Sequence, residues 1–158
     1  MSGPVPDSAW GETLNGLRAA AVFSTHSPTV GEKISVWMLV ENASDHDIRF
    51  STHDVIQTVR AVVKRPDGTE VREAFSWHTG LSPIVRHKLK PGERITLAQR
   101  KLVFEDQPNT GVVFGEGRAV GGAGEYRVRY DSIQGTGGGK GEWAERLVTG
   151  ETKLTVLP

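Results

Sequence analysis

The run Lys33-Ile34-Ser35-Val36-Trp37-Met38-Leu39-Val40-Glu41-Asn42 decides the fold class. Ile34, Val36, Met38 and Val40 fall on one face of an extended chain, with Trp37 and Leu39 on the other, a period of two. Apolar side chains on both faces place this strand in the middle of a sheet, or under a covering partner. Upstream, Leu17, Ala19, Ala21 and Phe23 alternate with Arg18, Ala20, Val22 and Ser24, and residues 27–32 close that strand with a turn. Downstream, Asn42-Ala43-Ser44-Asp45-His46-Asp47 is turn chemistry, after which Ile48 and Phe50 resume the alternation.

The same pattern continues outward. Val59, Ala61 and Val63 oppose Arg60, Val62 and Lys64, and Pro66-Asp67-Gly68 folds the chain into a hairpin with a strand carrying Val71 and Phe75. Alternation lapses over residues 76–88, which predicts a long connection that is functional or crosses between sheets. After the tight turn Lys90-Pro91-Gly92-Glu93, Ile95 and Leu97 share one parity while Leu102 and Phe104 share the other. That switch predicts a bulge or bend near Gln99, where the strand changes sheets. Eleven glycines between positions 111 and 141 predict irregular loops around one clean strand, in which Tyr126, Val128 and Tyr130 face inward against Arg127, Arg129 and Asp131. Leu154 and Val156 mark the last strand. No window sustains a helical period. The fold class is therefore all-β, an immunoglobulin-like antiparallel β-sandwich of about seven to nine strands.

Composition bounds the partners. The 158 residues suffice for one domain burying roughly two thirds of its unfolded surface, read as residues 1–9 forming a tail and residues 10–158 the sandwich. Nineteen basic and nineteen acidic side chains leave a formal net charge of zero, hence no long-range field to draw nucleic acid or anionic lipid. Without cysteine, the chain has no disulfide, thiolate metal site or cysteine nucleophile, and it suits cytoplasm and envelope alike. Residues 1–9 lack the basic start and apolar run of a secretion signal, and no stretch is long and apolar enough to span a membrane. The expectation is a soluble chain, cytoplasmic or envelope-associated after processing.

Trp10-Gly11-Glu12 with Gly16-Leu17 opens the strand region, and Leu147-Val148-Thr149-Gly150 with Leu154 and Val156 closes it. Together with Gly31-Glu32, Asn42 and Ser44, Leu89, Pro91-Gly92, Leu102, Gly124, Tyr126 and Tyr130, these positions cover nearly the whole chain. In them the sequence resembles a recurring β-sandwich module of planctomycete-type bacterial proteins, often appended to other domains. That resemblance implies a complete sandwich and no catalytic residue set. Residues 42–92, with their strand, Asn-Ala-Ser turn and late Pro-Gly turn, are also similar to the intracellular proteinase inhibitor family. This second likeness implies a presented loop.

Catalytic and cofactor signatures fail on their own terms. Gly135-Thr136-Gly137-Gly138-Gly139-Lys140-Gly141 has Gln134 where a phosphate-binding loop needs glycine and Gly141 where it needs a hydroxyl. Gly115-Glu116-Gly117 continues to Gly121, out of step with a dinucleotide fingerprint. Ser82, in Gly80-Leu81-Ser82-Pro83-Ile84, lacks the final glycine of a nucleophile elbow. His26, His46, His53, His78 and His87 follow no familiar metal spacing, although Phe23-Ser24-Thr25-His26 echoes Phe50-Ser51-Thr52-His53 and would place two histidines at the ends of neighbouring strands. The expectation is no catalytic residue, no metal and no cofactor.

What remains is binding. Trp77, His78 and Pro83 in the 76–88 connection, Trp143 beside the glycine-rich loop, and Trp37 and Leu39 on the second sheet face are the candidate contacts for a protein partner. For the two loop tryptophans the competing role is to cap the ends of the sandwich. Arg127, Arg129 and Arg49 lie on outward faces, as a basic strip or as solvated decoration. The expected role is a non-catalytic protein-binding module or accessory subunit docking on a larger protein. The alternatives are a proteinase-inhibitor-like domain presenting residues 76–88, and a small metal-dependent or hydrolytic enzyme built on the histidines.

Overall fold

The computed structural model describes residues 4–53, 59–72, 84–105, 118–120, 122–131, 133–135 and 141–158. These form twelve strands and one three-residue 3₁₀ turn, Asp7–Ala9: β1 Leu17–Phe23, β2 Lys33–Asn42, β3 Ile48–Thr52, β4 Arg60–Lys64, β5 Glu70–Arg72, β6 Val85–Leu89, β7 Arg94–Glu105, β8 Arg118–Val120, β9 Gly124–Asp131, β10 Ile133–Gln134, β11 Arg146–Leu147 and β12 Thr152–Val156. The count exceeds the seven to nine expected because several are two- or three-residue pairings too short to show a period. Two four-stranded sheets, ordered β1-β2-β7-β8 and β12-β9-β4-β5, carry the fold, with two-stranded ribbons β3-β6 and β10-β11 beside them. All pairings between these strands are antiparallel except β7 with β8.

The two larger sheets face each other across one sandwich-like core. Leu17, Ala19, Ala21, Ile34, Val36, Met38 and Val40 on the first meet Ala61, Val63, Val128, Leu154 and Val156 on the second, all essentially buried. Rings bridge the layers: Phe104 of β7 lies 4.7 Å from Tyr126 of β9, and Phe23 of β1 lies 6.4 Å from Tyr130. The inward parity read for β1, β2, β4, β9 and β12 thus holds. In β7 the switch of parity is a bulge at Leu97. Met38 pairs with Ala98 while Leu39 pairs with Thr96, leaving Leu97 as the extra residue. β7 does not change sheets there; it stays on β2 to both sides of the bulge.

Residues 76–88 are not one uninterrupted connection, since β6 begins at Val85 and pairs with β3 in the register Ile48 to Leu89 and Thr52 to Val85. The reason it escapes the hydrophobic pattern is that its inward positions are Val85, His87 and Leu89. Only Leu89 is both apolar and buried.

The opening and closing motifs meet in space. Gly11 N–H donates to the Ala19 carbonyl on β1, and Gly150 N–H donates to the Ala9 carbonyl. Side chains are excluded on both sides of this contact: a Cβ on Gly11 would overlap the Val148 carbonyl oxygen, and one on Gly150 would overlap that of Ser8. Thr149 locks the contact by accepting from Tyr130 N–H through Oγ1 at 2.9 Å. Trp10 then lies on the outer face of the first sheet between Arg18 (4.4 Å) and Arg94 (5.3 Å), and both guanidiniums pair with Glu41 in one cross-strand row. Ala9, Trp10, Ala20 and Leu39 form a second small core there, with Val5, Val22 and Trp37 at its margin. Ala9, expected in a tail, is buried in this layer.

Asn42 is the polar counterpart of these contacts. Fully buried, it donates through Nδ2 to the His46 and Leu89 carbonyls and accepts through Oδ1 from Ser44 N–H and Oγ–H. Its backbone also joins Gly92 and Glu93. Asn42, Ser44, Leu89 and Gly92, scattered in sequence, therefore serve one structural joint.

Candidate functional site

The β3-β6 ribbon differs from the rest of the surface. Its inner pairs are Ile48 with Leu89, Phe50 with His87 and Thr52 with Val85, and its outer pairs are Arg49 with Lys88 and Ser51 with Arg86. Phe50 is the anchor: buried, it stacks on the His87 ring at 4.8 Å and takes Trp143 edge-on at 6.1 Å. Burial holds the His87 imidazole below its usual pKa, and Nε2 lies 3.3 Å from Thr52 Oγ1. On the far side of β3, Trp143 N–H donates to the Arg49 carbonyl and Ser51 Oγ–H donates to Glu142. β3 is thereby flanked on both sides, whereas among the described residues β6 pairs with β3 alone.

Burial ends abruptly at the start of β6. Ile84 is 56% exposed and Val85 46%, and together with Leu157 they are the exposed large apolar side chains among the described residues. Single exposed apolar residues are ordinary, but two in a row where a strand with one described neighbour begins form a template for another chain. The outer face beside them is cationic. Arg49, Arg86 and Lys88 are all exposed, and Lys88 Nζ lies 3.5 Å from the Asp47 carboxylate.

Of the contacts expected from sequence, Trp77, His78 and Pro83 lie outside the described residues, as does Ser82. Trp143 is 7% exposed and its indole Nε1–H donates to the Leu14 carbonyl at 2.8 Å, so it caps the core end. Leu39 is buried and Trp37 half-buried beneath Ala9 and Trp10; a partner would have to displace the chain's own N-terminal segment to reach Leu39. The arginines do not form one strip. Arg127 and Arg129 are balanced by Glu70, Glu125 and Glu151 on the outer face of the second sheet, while Arg49 belongs to the ribbon.

The echoed histidines are not on neighbouring strands, since β1 pairs with β2 and β3 with β6. Among the described residues no three His, Asp or Glu side chains gather as a metal would require. A depression of about 350 Å³ lies where His26, Arg127, Glu151 and Lys153 meet Pro6 and Val22, with Arg127 paired to Glu151 and Lys153 to Glu125. No described helix is long and apolar enough to cross a membrane. Sequence reasoning missed Ile84, Val85, Arg86 and Lys88 as a unit. The available signal was the pairing of apolar Ile84-Val85 with alternating Arg86 and Lys88, a strand motif with one polar face.

No protein-family model matches the chain, and no curated protein matches it. Solved structures that resemble it include the sporulation control protein of Bacillus subtilis, with 14% identity and a TM-score of 0.45 over 92% of this chain and 51% of that one. An alkylpurine DNA glycosylase of Pseudomonas fluorescens gives 12% identity and a TM-score of 0.46, over 92% of this chain and 32% of that one. A β-glucosidase of Listeria innocua gives 15% and 0.43, over 95% and 17%. The chain thus spans about half the length of the first and less of the others, and likenesses of this size carry no argument about its activity.

Proposed function

We propose that this chain is a non-catalytic protein-binding module of immunoglobulin-like architecture, of the planctomycete-type sandwich kind that its motifs resemble, and that it docks on a larger protein through the open edge of β6. The observation that carries this reading is the exposure of Val85, and of Ile84 just before it, at the start of a strand with one described partner. Most other apolar positions of the described strands are spent on the core or on the layer under Trp10. The motif residues support the same reading, because Gly11, Asn42, Thr149 and Gly150 are occupied in holding the sandwich together. A proteinase-inhibitor role is the narrower version: the extended backbone at Val85 and the exposed Ile84 suit a segment that lies in a cleft.

Site-specific photocrosslinking tests the proposal. A photoreactive residue at Val85 is expected to give one dominant adduct in native cells, whereas the same group at Lys153, on the charge-balanced sheet face, is expected to give none. Equal yields from the two positions, or no adduct from Val85, would defeat the proposal.

A further inference from the structure

The ribbon specifies what should occupy it. Among the described residues β6 is paired on one side, and such a strand presents a second row of N–H and C=O groups, which is satisfied by another extended backbone. Along β6 the side chains alternate: Val85, His87 and Leu89 point inward, and Arg86 and Lys88 outward. Residues of an added strand would stand opposite these positions on the same two faces, within about 5.5 Å between Cβ atoms. Inward, Val85 asks for an apolar neighbour. Outward, Arg86 and Lys88, with Arg49 behind them on β3, ask for carboxylates.

Charge makes the second request specific. On the outer face of the second sheet Arg127, Arg129 and Lys153 are matched by Glu70, Glu125 and Glu151. On the ribbon, among the described residues, Arg49, Arg86 and Lys88 are accompanied by one ion pair, Lys88 with Asp47, and Glu142 is engaged by Ser51 at the β3 side. In a chain with zero net charge this is a local surplus, among the described residues, beside the exposed apolar Ile84 and Val85. A second copy of the chain is a poor occupant, because antiparallel pairing of β6 with itself about His87 would set Arg86 against Lys88. We infer that β6 receives, as an added strand, an extended segment of a partner protein in which acidic side chains alternate with apolar ones. This rests on the reading of β6 as the docking edge.

The test uses the full ¹⁵N-labelled chain and three blocked nonapeptides: one alternating glutamate and valine, one with lysine for each glutamate, and the glutamate peptide N-methylated on alternate backbone amides. The glutamate peptide is expected to shift the amides of β6 and β3 and to bind about tenfold more tightly than the lysine peptide, as two cross-strand ion pairs would produce. N-methylation on the pairing edge is expected to abolish the shifts. In Arg86→Glu/Lys88→Glu, whose exposed side chains leave the fold intact, the preference should reverse toward the lysine peptide. Equal response to both charged peptides, shifts confined to another surface, or insensitivity to N-methylation would overturn the inference. So would binding to phosphatidylserine vesicles through Arg86 and Lys88 with no response to any peptide, which would assign the edge to a membrane surface. An adduct at Val85 in cells combined with silent peptides would leave the docking edge standing and remove the acidic strand. Loss of both would remove the docking edge as well.

Discussion

Replacing Trp143 by alanine should unfold the ribbon end of the sandwich, and the structure sets the size of the effect. The indole is 7% exposed, meets Phe50 edge-on and donates Nε1–H to the Leu14 carbonyl. A buried tryptophan removes about 200 Å² from water, worth about 5 kcal/mol at about 25 cal/mol per Å², and measured large aromatic truncations cost about 3–5 kcal/mol. The edge-to-face contact and the orphaned Leu14 carbonyl place Trp143→Ala at the upper end, about 4–5 kcal/mol. Trp143→Phe keeps most of the apolar volume but leaves that carbonyl without its donor, at about 1–2 kcal/mol. Equilibrium urea unfolding followed by far-ultraviolet circular dichroism measures both. A loss below about 1 kcal/mol for Trp143→Ala would mean that the indole does not cap the core, and the tryptophan would return to the list of exposed anchors.

Gly11→Ala should cost more than about 3 kcal/mol or prevent folding, because its Cβ meets the Val148 carbonyl, whereas Gly31→Ala, with open space but a φ of 85°, should cost only about 1 kcal/mol; thermal unfolding of the pair gives the comparison. Asn42→Ala strands the buried Leu89 carbonyl and frees the 42–46 turn, and calorimetry should show a loss of at least about 2 kcal/mol. His87 should make stability depend on pH. Its folded-state pKa lies below the usual 6.5 through burial, so the unfolded chain binds the proton more readily, and stability is fully present above pH 6.5 and falls as the pH drops toward the folded value. Urea midpoints between about pH 7.5 and 5.5 should decline less in His87→Gln than in the parent.

The strands that were legible in sequence are those whose inward side is wholly apolar. β1, β2, β9 and β12 show period two because every second residue enters the core, and Pro66-Asp67-Gly68 announces its hairpin through turn chemistry. β6 was hidden because His87 takes an inward place by stacking on Phe50, and Val85 faces inward without being buried. The bulge was readable as a change of parity but only to within a few residues, since parity does not say which of Leu97, Ala98 or Gln99 is supernumerary. Likewise, nothing periodic marks residues 5–10 as the cover of Leu39. Their placement follows from Gly11 meeting Val148 and Gly150 meeting Ser8, contacts between opposite ends of the chain. The proposed docking edge rests on two properties that no single sequence displays, the exposure of Ile84 and Val85 and, among the described residues, the lack of a second neighbour for β6.

The most direct test of the central claim asks whether Ile84 and Val85 serve binding rather than folding. Ile84→Thr/Val85→Thr keeps β-branched side chains and removes the apolar surface. With a photoreactive residue at Lys90, just past β6, the double variant should unfold within about 1 kcal/mol of the parent while the partner adduct falls at least about fivefold. An undiminished adduct in a normally stable variant, or a stability loss of about 3 kcal/mol or more, would contradict the claim.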